Sequence, residues 1–321
     1  MQDSPLSSQS PRDLFHIPER DILSELIENQ RSASTRRAYE AHLRRFFKFS
    51  SGRDLSPELV AGFLQLGKFD AIALVLKYRS HLASQGLSEA SINQFLAAVK
   101  ALARFAEQIG RCGWNLQEIK REKERRYRDT SGVSKEQFGT MLAAPNRVTV
   151  KGKRDYALLR LFWDNVLRRG EIHKADIKDF VPAERTLRIF GKGRGRQPEF
   201  VSLSESTIEA VQVWLRSRGN PPPEAPLFIA LDRANYGHRL SGRGLAKIVE
   251  KIAKAAGIEK QMSPHRIRHS GITAALDATN GNVRKVQKLS RHVDLNTVVI
   301  YDDNRRNLQA EVTELLAGLV D

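Results

Sequence analysis

Ser263-Pro264-His265-Arg266-Ile267-Arg268-His269 opens a helix and arms it with charge within seven residues. Ser263 suits the cap, and Pro264 suits the first helical position, where its missing N–H would go unpaired anyway. His265 and Arg268, three residues apart, project from one face. An imidazole beside a guanidinium can exchange a proton at a reacting oxygen while the arginine neutralises a phosphate. By itself the pair is weak evidence. No metal site is expected, because the lone Cys112 excludes a Cys-rich zinc site and further ligands would have to come from scattered residues.

Upstream, Leu158, Leu159, Leu161, Phe162 and Trp163 predict a buried helix over 155–166, followed by Leu167-Arg168-Arg169-Gly170-Glu171-Ile172. Glu171, one turn on, can hold the Arg168 guanidinium in place. Leu187 and Ile189 alternate with polar residues before Gly191-Lys192-Gly193-Arg194-Gly195, and Phe200, Val201 and Leu203 resume the apolar signal, which predicts a β-hairpin. The spacing of a phosphate-binding P-loop is absent there. Downstream come Arg291-His292 and then Tyr301, which after Val298, Val299 and Ile300 reads in isolation as a packed aromatic. Two guanidinium forks fit the non-bridging oxygens of a phosphoryl transition state. Helices are expected near 205–217, 241–256, 264–277, 282–290 and 305–320, with a short strand near Leu227–Ala230.

The 321 residues carry a formal charge of +16, and the excess is spread: residues 1–130 hold 21 Lys and Arg against 16 Asp and Glu, and 131–321 hold 32 against 21. Such a chain calls for an anionic partner, of which nucleic acid is the commonest. Its length favours two domains. No apolar run is long enough to span a bilayer, and the polar first residues lack a secretory core, so no membrane partner and a cytoplasmic, nucleoid-associated location are expected. Residues 1–16 read as a disordered leader. From there to about Gly110 the periodicity is helical: Tyr39, Leu43, Phe46 and Phe47 share one face, and Ile92, Phe95, Leu96, Val99, Leu102, Ala106 and Ile109 another, with Ser88 as an N-cap. Arg36, Arg37, Arg44, Arg45 and Lys48 lie mostly off the apolar stripe and suit phosphate contact as a cluster. Residues 115–131, poor in large apolar side chains and holding Arg125 and Arg126, read as an extended basic linker.

The succession Leu167-Arg168 with Glu171, Lys192 in its glycine turn, His265 with Arg268, Arg291-His292 and Tyr301 nine residues beyond resembles the tyrosine recombinases, also called the phage integrase family, over about residues 20–321. The resemblance implies a two-domain fold: an all-α, SAM-like core-binding bundle over 17–114, a linker over 115–131, and a mixed, mainly α catalytic domain with a small antiparallel β-sheet over 132–321. It implies a site-specific recombinase that exchanges strands through a Holliday junction. In that scheme Tyr301 attacks the scissile phosphate to give a 3′-phosphotyrosyl enzyme, and Lys192 protonates the departing 5′ oxygen. Arg168 and Arg268 clamp the phosphate, His265 acts as general acid/base, and His292 hydrogen-bonds a non-bridging oxygen. Neither metal, nucleotide nor any other cofactor is implied. The partner is a double-stranded recombination site held between the two domains, with Arg194 and the basic clusters as contacts. A monomer in solution would become a homotetramer on two sites.

Three dipeptides depart from the family's pattern: Asn165-Val166 stands for Thr-Gly, Ser290-Arg291 for Leu-Gly, and Asp302-Asp303 follows the tyrosine where histidine is frequent. Arg291 either adds a phosphate contact or alters the turn. Leu308, Val312, Leu315, Leu316 and Leu319 form an amphipathic C-terminal helix that most simply caps its own core, whereas in the family a comparable helix docks into a neighbour. Other readings are a type IB topoisomerase, a telomere resolvase, or a DNA-binding factor without chemistry.

Overall fold

A computed structural model describes residues 21–124, 132–191, 197–299, 301 and 308–319. The leader at 1–16, Arg125 and Arg126 of the linker, and Lys192 and Arg194 of the hairpin turn lie outside the described residues. The chain divides into two compact units, Met1–Arg126 and Tyr127–Asp321.

The described part of the first unit is helical: α1 (Ile22–Glu28), α2 (Ala33–Ser51), α3 (Pro57–Leu64), α4 (Lys68–Ser84) and α5 (Glu89–Gln108). Asp21, Ser56 and Ser88 cap α1, α3 and α5 by accepting backbone N–H bonds. Gly110 then takes a left-handed φ of 70°, which stops α5 where few other residues can. The apolar stripe of α2 buries Leu43, Phe46 and Phe47, with Phe46 edge-on to Phe63 and Tyr78 at 5.2 Å.

The first half of the segment expected to be an extended linker, residues 115–131, joins this core, next to Trp114 at the end of the expected helical domain. Trp114, Leu116 and Ile119 are 8%, 1% and 3% exposed. The Trp114 indole donates to Leu66 O at 2.8 Å. Buried Asn93 clasps the Glu122 backbone, donating to its carbonyl at 3.0 Å and accepting from its N–H at 2.9 Å. A few apolar anchors suffice here because that amide and Lys100, which donates to Ile119 O, satisfy part of the segment's polar backbone.

The second unit is built round α7 (Val150–Asp164), packed by α6 (Lys135–Ala143), α9 (Glu205–Arg216) and α11 (Pro264–Ala278). α7, capped by Thr149, begins five residues ahead of the expected start, because Val150 is the sole large apolar residue of its first turn. The remaining helices are α8 (Arg169–Lys174), α10 (Gly242–Ala255), α12 (Val283–Ser290), α13 (Asn296–Val299) and α14 (Leu308–Ala317). A three-stranded antiparallel sheet runs β1 (Phe180–Val181), β2 (Thr186–Ile189), β3 (Glu199–Ser202), with Leu187 opposite Val201 and both turned inward. The strand expected near Leu227–Ala230 is reduced to isolated bridges: Pro226 pairs with Asp176 and Ile229 with Arg239. The segment changes partner midway, so no ladder propagates. A smaller core of Val166, Ile272, Leu276, Val286, Val298 and Tyr301 lies beside the main one. Val312, Leu315, Leu316 and Leu319 are 52–78% exposed, so the apolar side of α14 does not cap its own core. Among the described residues no single helix is long and apolar enough to cross a membrane.

Candidate active site

The site starts where α7 ends. Val166 sits at φ 41° while fully buried, and a β-branched residue rarely adopts that left-handed turn. Holding it there costs about 1–3 kcal/mol. The turn aims the Val166 carbonyl at the Arg268 guanidinium, which binds it and the Ser290 carbonyl together. It also places Arg168 at the head of α8, where Glu171 accepts from the Arg168 backbone N–H at 2.7 Å and from its guanidinium at 2.8 Å. Across from the turn, α11 approaches so closely that a Cβ at Gly271 would sit 2.8 Å from a Val166 methyl.

Arg291 does not face outward as an added phosphate contact. It takes a left-handed φ of 57° at the end of α12 and turns inward, donating to Glu171 at 2.9 Å and to Leu289 O at 2.9 Å. One buried carboxylate therefore lies between Arg168 and Arg291, with Arg268 close enough to feel all three charges. Burial, then repulsion from Arg168 and Arg291, lowers the Arg268 pKa to about 9. Burial first, then the surrounding arginines, lowers that of His292 to about 4. The cage holds more positive charge than its carboxylate balances, and an anion would relieve that excess.

Tyr301 lies against this cage with 6% exposure. Its ring stacks on His292 at 5.7 Å and lies tilted by 35° against His269 at 4.5 Å, and its hydroxyl is 3.4 Å from His269 Nε2. The same nitrogen is 3.0 Å from His265 Nε2, one turn back on α11. His292 accepts from Arg268 through Nε2 at 3.2 Å, so its proton sits on Nδ1, facing Ser290 Oγ at 3.1 Å. Arg168, Glu171, His265, Arg268, His292 and Tyr301 thus converge from segments up to 133 positions apart. Among the described residues no cluster of His, Cys, Asp and Glu is placed to hold a metal.

The profile of the phage integrase family matches residues 132–307, and that of the phage integrase N-terminal SAM-like domain matches 23–110. The chain belongs to the phage integrase family. This tyrosine recombinase is 48% identical over 309 residues to a tyrosine recombinase of Synechococcus elongatus, covering 96% of this chain and 97% of the relative. It is 47% identical over 312 residues to one of Synechocystis, covering 97% and 99%. Its fold is shared by the XerH site-specific recombinase in a post-cleavage complex on a palindromic difH substrate: TM-score 0.65, 21% identity, 91% of this chain and 84% of that one covered.

On the recombinase's first unit, Arg36, Arg37, Arg44 and Lys48 are exposed along α2, with local partners among the described residues such as Glu40 for Arg44 at 2.9 Å and Asp54 for Lys48 at 3.4 Å. Arg45 instead lies over the Phe95 ring at 4.7 Å and donates to Gln85. Together with Tyr78 and His81, Arg44, Arg45 and Lys48 line a groove of about 620 Å³. One participant in the catalytic unit was not expected from the chain: His269, visible only as a second imidazole one turn after His265. The sequence leaves Arg291 as a phosphate contact or an altered turn, and no local pattern announces its inward bond to Glu171.

Proposed function

We propose that the enzyme breaks and rejoins DNA at a specific site through a 3′-phosphotyrosyl link, with Tyr301 as nucleophile. The observation that carries this reading is Tyr301 of the same chain, with its ring stacked on His292, which Arg268 holds, and its hydroxyl 3.4 Å from His269 Nε2. Arg268 commits three N–H groups to Val166, Ser290 and His292, which leaves two of its five for a phosphate oxygen. Arg168, half-exposed and held by Glu171, supplies the second fork. A phosphate that draws Arg268 off His292 Nε2 frees that nitrogen to carry a proton to a non-bridging oxygen. Such donors act most strongly where water is excluded. Lys192 serves the departing 5′ oxygen, and His265 joins the proton transfer.

The partner in this reading is a double-stranded recombination site, contacted by the exposed cations of α2 and, in the linker and hairpin, by Arg125, Arg126 and Arg194. Backbone contacts supply most of the affinity. The exposed apolar side of α14 supports docking into a neighbouring copy, and hence a homotetramer on two sites. The enzyme works in the cytoplasm on the nucleoid. The relatives are recombinases, which gives no support to a topoisomerase, a telomere resolvase or a DNA-binding factor without chemistry.

A nicked suicide duplex tests the reading. The native chain forms a covalent band on a denaturing gel, and Tyr301→Phe forms none. A band that survives in Tyr301→Phe, or tight specific binding by the native chain with no band, refutes it.

A further inference from the structure

Of the two imidazoles packed against the Tyr301 ring, His292 commits one nitrogen to Arg268 and the other to Ser290. His269 presents Nε2 to the tyrosine hydroxyl at 3.4 Å, and its own exposure is only 7%. The distance is long for a formed bond, as catalytic contacts often are before substrate tightens them. Behind it, His265 Nε2 touches the same nitrogen at 3.0 Å and is exposed to solvent. The series phenol, buried imidazole, exposed imidazole leads from a sealed hydroxyl to water.

We propose that His269 is a catalytic residue that takes the Tyr301 phenolic proton on Nε2 and hands it to His265. This rests on Tyr301 being the nucleophile. As the tyrosine oxygen forms its bond to phosphorus, its proton passes to His269 Nε2. The phosphorus–5′-oxygen bond breaks, and that oxygen takes a proton from Lys192. The imidazolium at His269 then donates to His265 Nε2, which exchanges with solvent. Rejoining runs the same steps backward: the 5′ hydroxyl attacks, returns its proton to Lys192, and the departing phenolate is reprotonated through His265 and His269. His269 follows Arg268 directly on α11, so the guanidinium that fixes the helix against Val166 and Ser290 also fixes the base.

The test uses the full chain and a duplex selected from a random-sequence pool by covalent capture with the native protein. The same duplex is also made with sulfur as the 5′ bridging atom, which leaves without a proton. His269→Gln should lower the capture rate about 100-fold or more, on the oxygen and sulfur duplexes alike, with duplex affinity within about threefold of native. Lys192→Ala should be slow on oxygen and restored by sulfur. A more acidic phenol needs its base less, so 3-fluorotyrosine at position 301 should narrow the gap between His269→Gln and native at least about tenfold. If Gln unfolds the unit, His269→Asn takes its place. Capture within about fivefold of native, restoration by sulfur, or a gap indifferent to fluorination each overturns the proposal. Covalent capture by Tyr301→Phe would overturn the nucleophile assignment instead, and this proposal with it.

Discussion

Replacing Glu171 by glutamine should cost the catalytic unit more stability than any other isosteric change near the site. The carboxylate is 2% exposed and accepts three bonds: two from Arg168 at 2.7 and 2.8 Å and one from Arg291 at 2.9 Å. Glutamine keeps the volume, so no cavity forms, but it removes the negative charge and points an N–H2 group at a donor. Arg291, 10% exposed, is left buried without a counter-charge. Removing one partner of a buried pair costs about 3–5 kcal/mol. For a unit of this size that lowers the midpoint by roughly 6–20 °C. Trp163 and Trp214 report the second unit in urea unfolding once Trp114, in the first, is changed to Phe. Adding Arg291→Met removes the orphaned charge without altering the backbone demand at that left-handed position, and should recover at least about 1 kcal/mol. A loss under about 1 kcal/mol in Glu171→Gln, or no recovery in the double variant, would refute the view that one carboxylate neutralises two arginines.

The Val166 turn and Gly271 should behave as a coupled pair. Gly271→Ala sets a methyl 2.8 Å from Val166 Cγ1 and should destabilise by about 1–3 kcal/mol, and a good part of that should vanish in a Val166→Gly background. Strict additivity in urea unfolding would contradict the packing described. His292 carries a pH dependence of stability: its folded value of about 4 lies below the ordinary 6.5, so between these the unfolded chain binds a proton that the folded one refuses. Stability should therefore fall as pH drops from about 6.5 towards 4, and His292→Asn should flatten that fall; an imidazole titrating near 6.5 by NMR would contradict it. Changing Arg44 and Lys48 to alanine should weaken DNA binding evenly across sequences and lower the salt slope by about one per cation. An unchanged slope would remove α2 from the interface.

Much of the fold was legible because its signals are local. Ser88 caps the helix it was expected to cap, and Ser134 caps α6 with a full capping box through Gln137. Leu187 and Val201 pair across the hairpin as their alternation implied. The misread pieces depend on partners far away in the chain. Leu116 and Ile119 seemed too few to anchor a segment, yet Asn93, 29 positions earlier, closes the backbone beside them. Residues near 227–230 have strand-like composition, but bridges on either side to different neighbours leave no ladder. The amphipathic spacing of the last helix was plain, whereas the side it covers was not, and that side is open.

Residue types and their order along the chain settled the family, because two arginines, imidazoles and a terminal tyrosine at these intervals are chemically demanding and seldom coincide. Side-chain direction was settled only in three dimensions. Arg291 turns in because Glu171, 120 positions away, waits as an unsaturated acceptor beneath it. His269 meets the Tyr301 hydroxyl because the turn at Val166 and the bare Gly271 let α11 close on the end of α7. Contacts of that kind depend on packing distances of a few tenths of an ångström, to which residue spacing along a chain is blind.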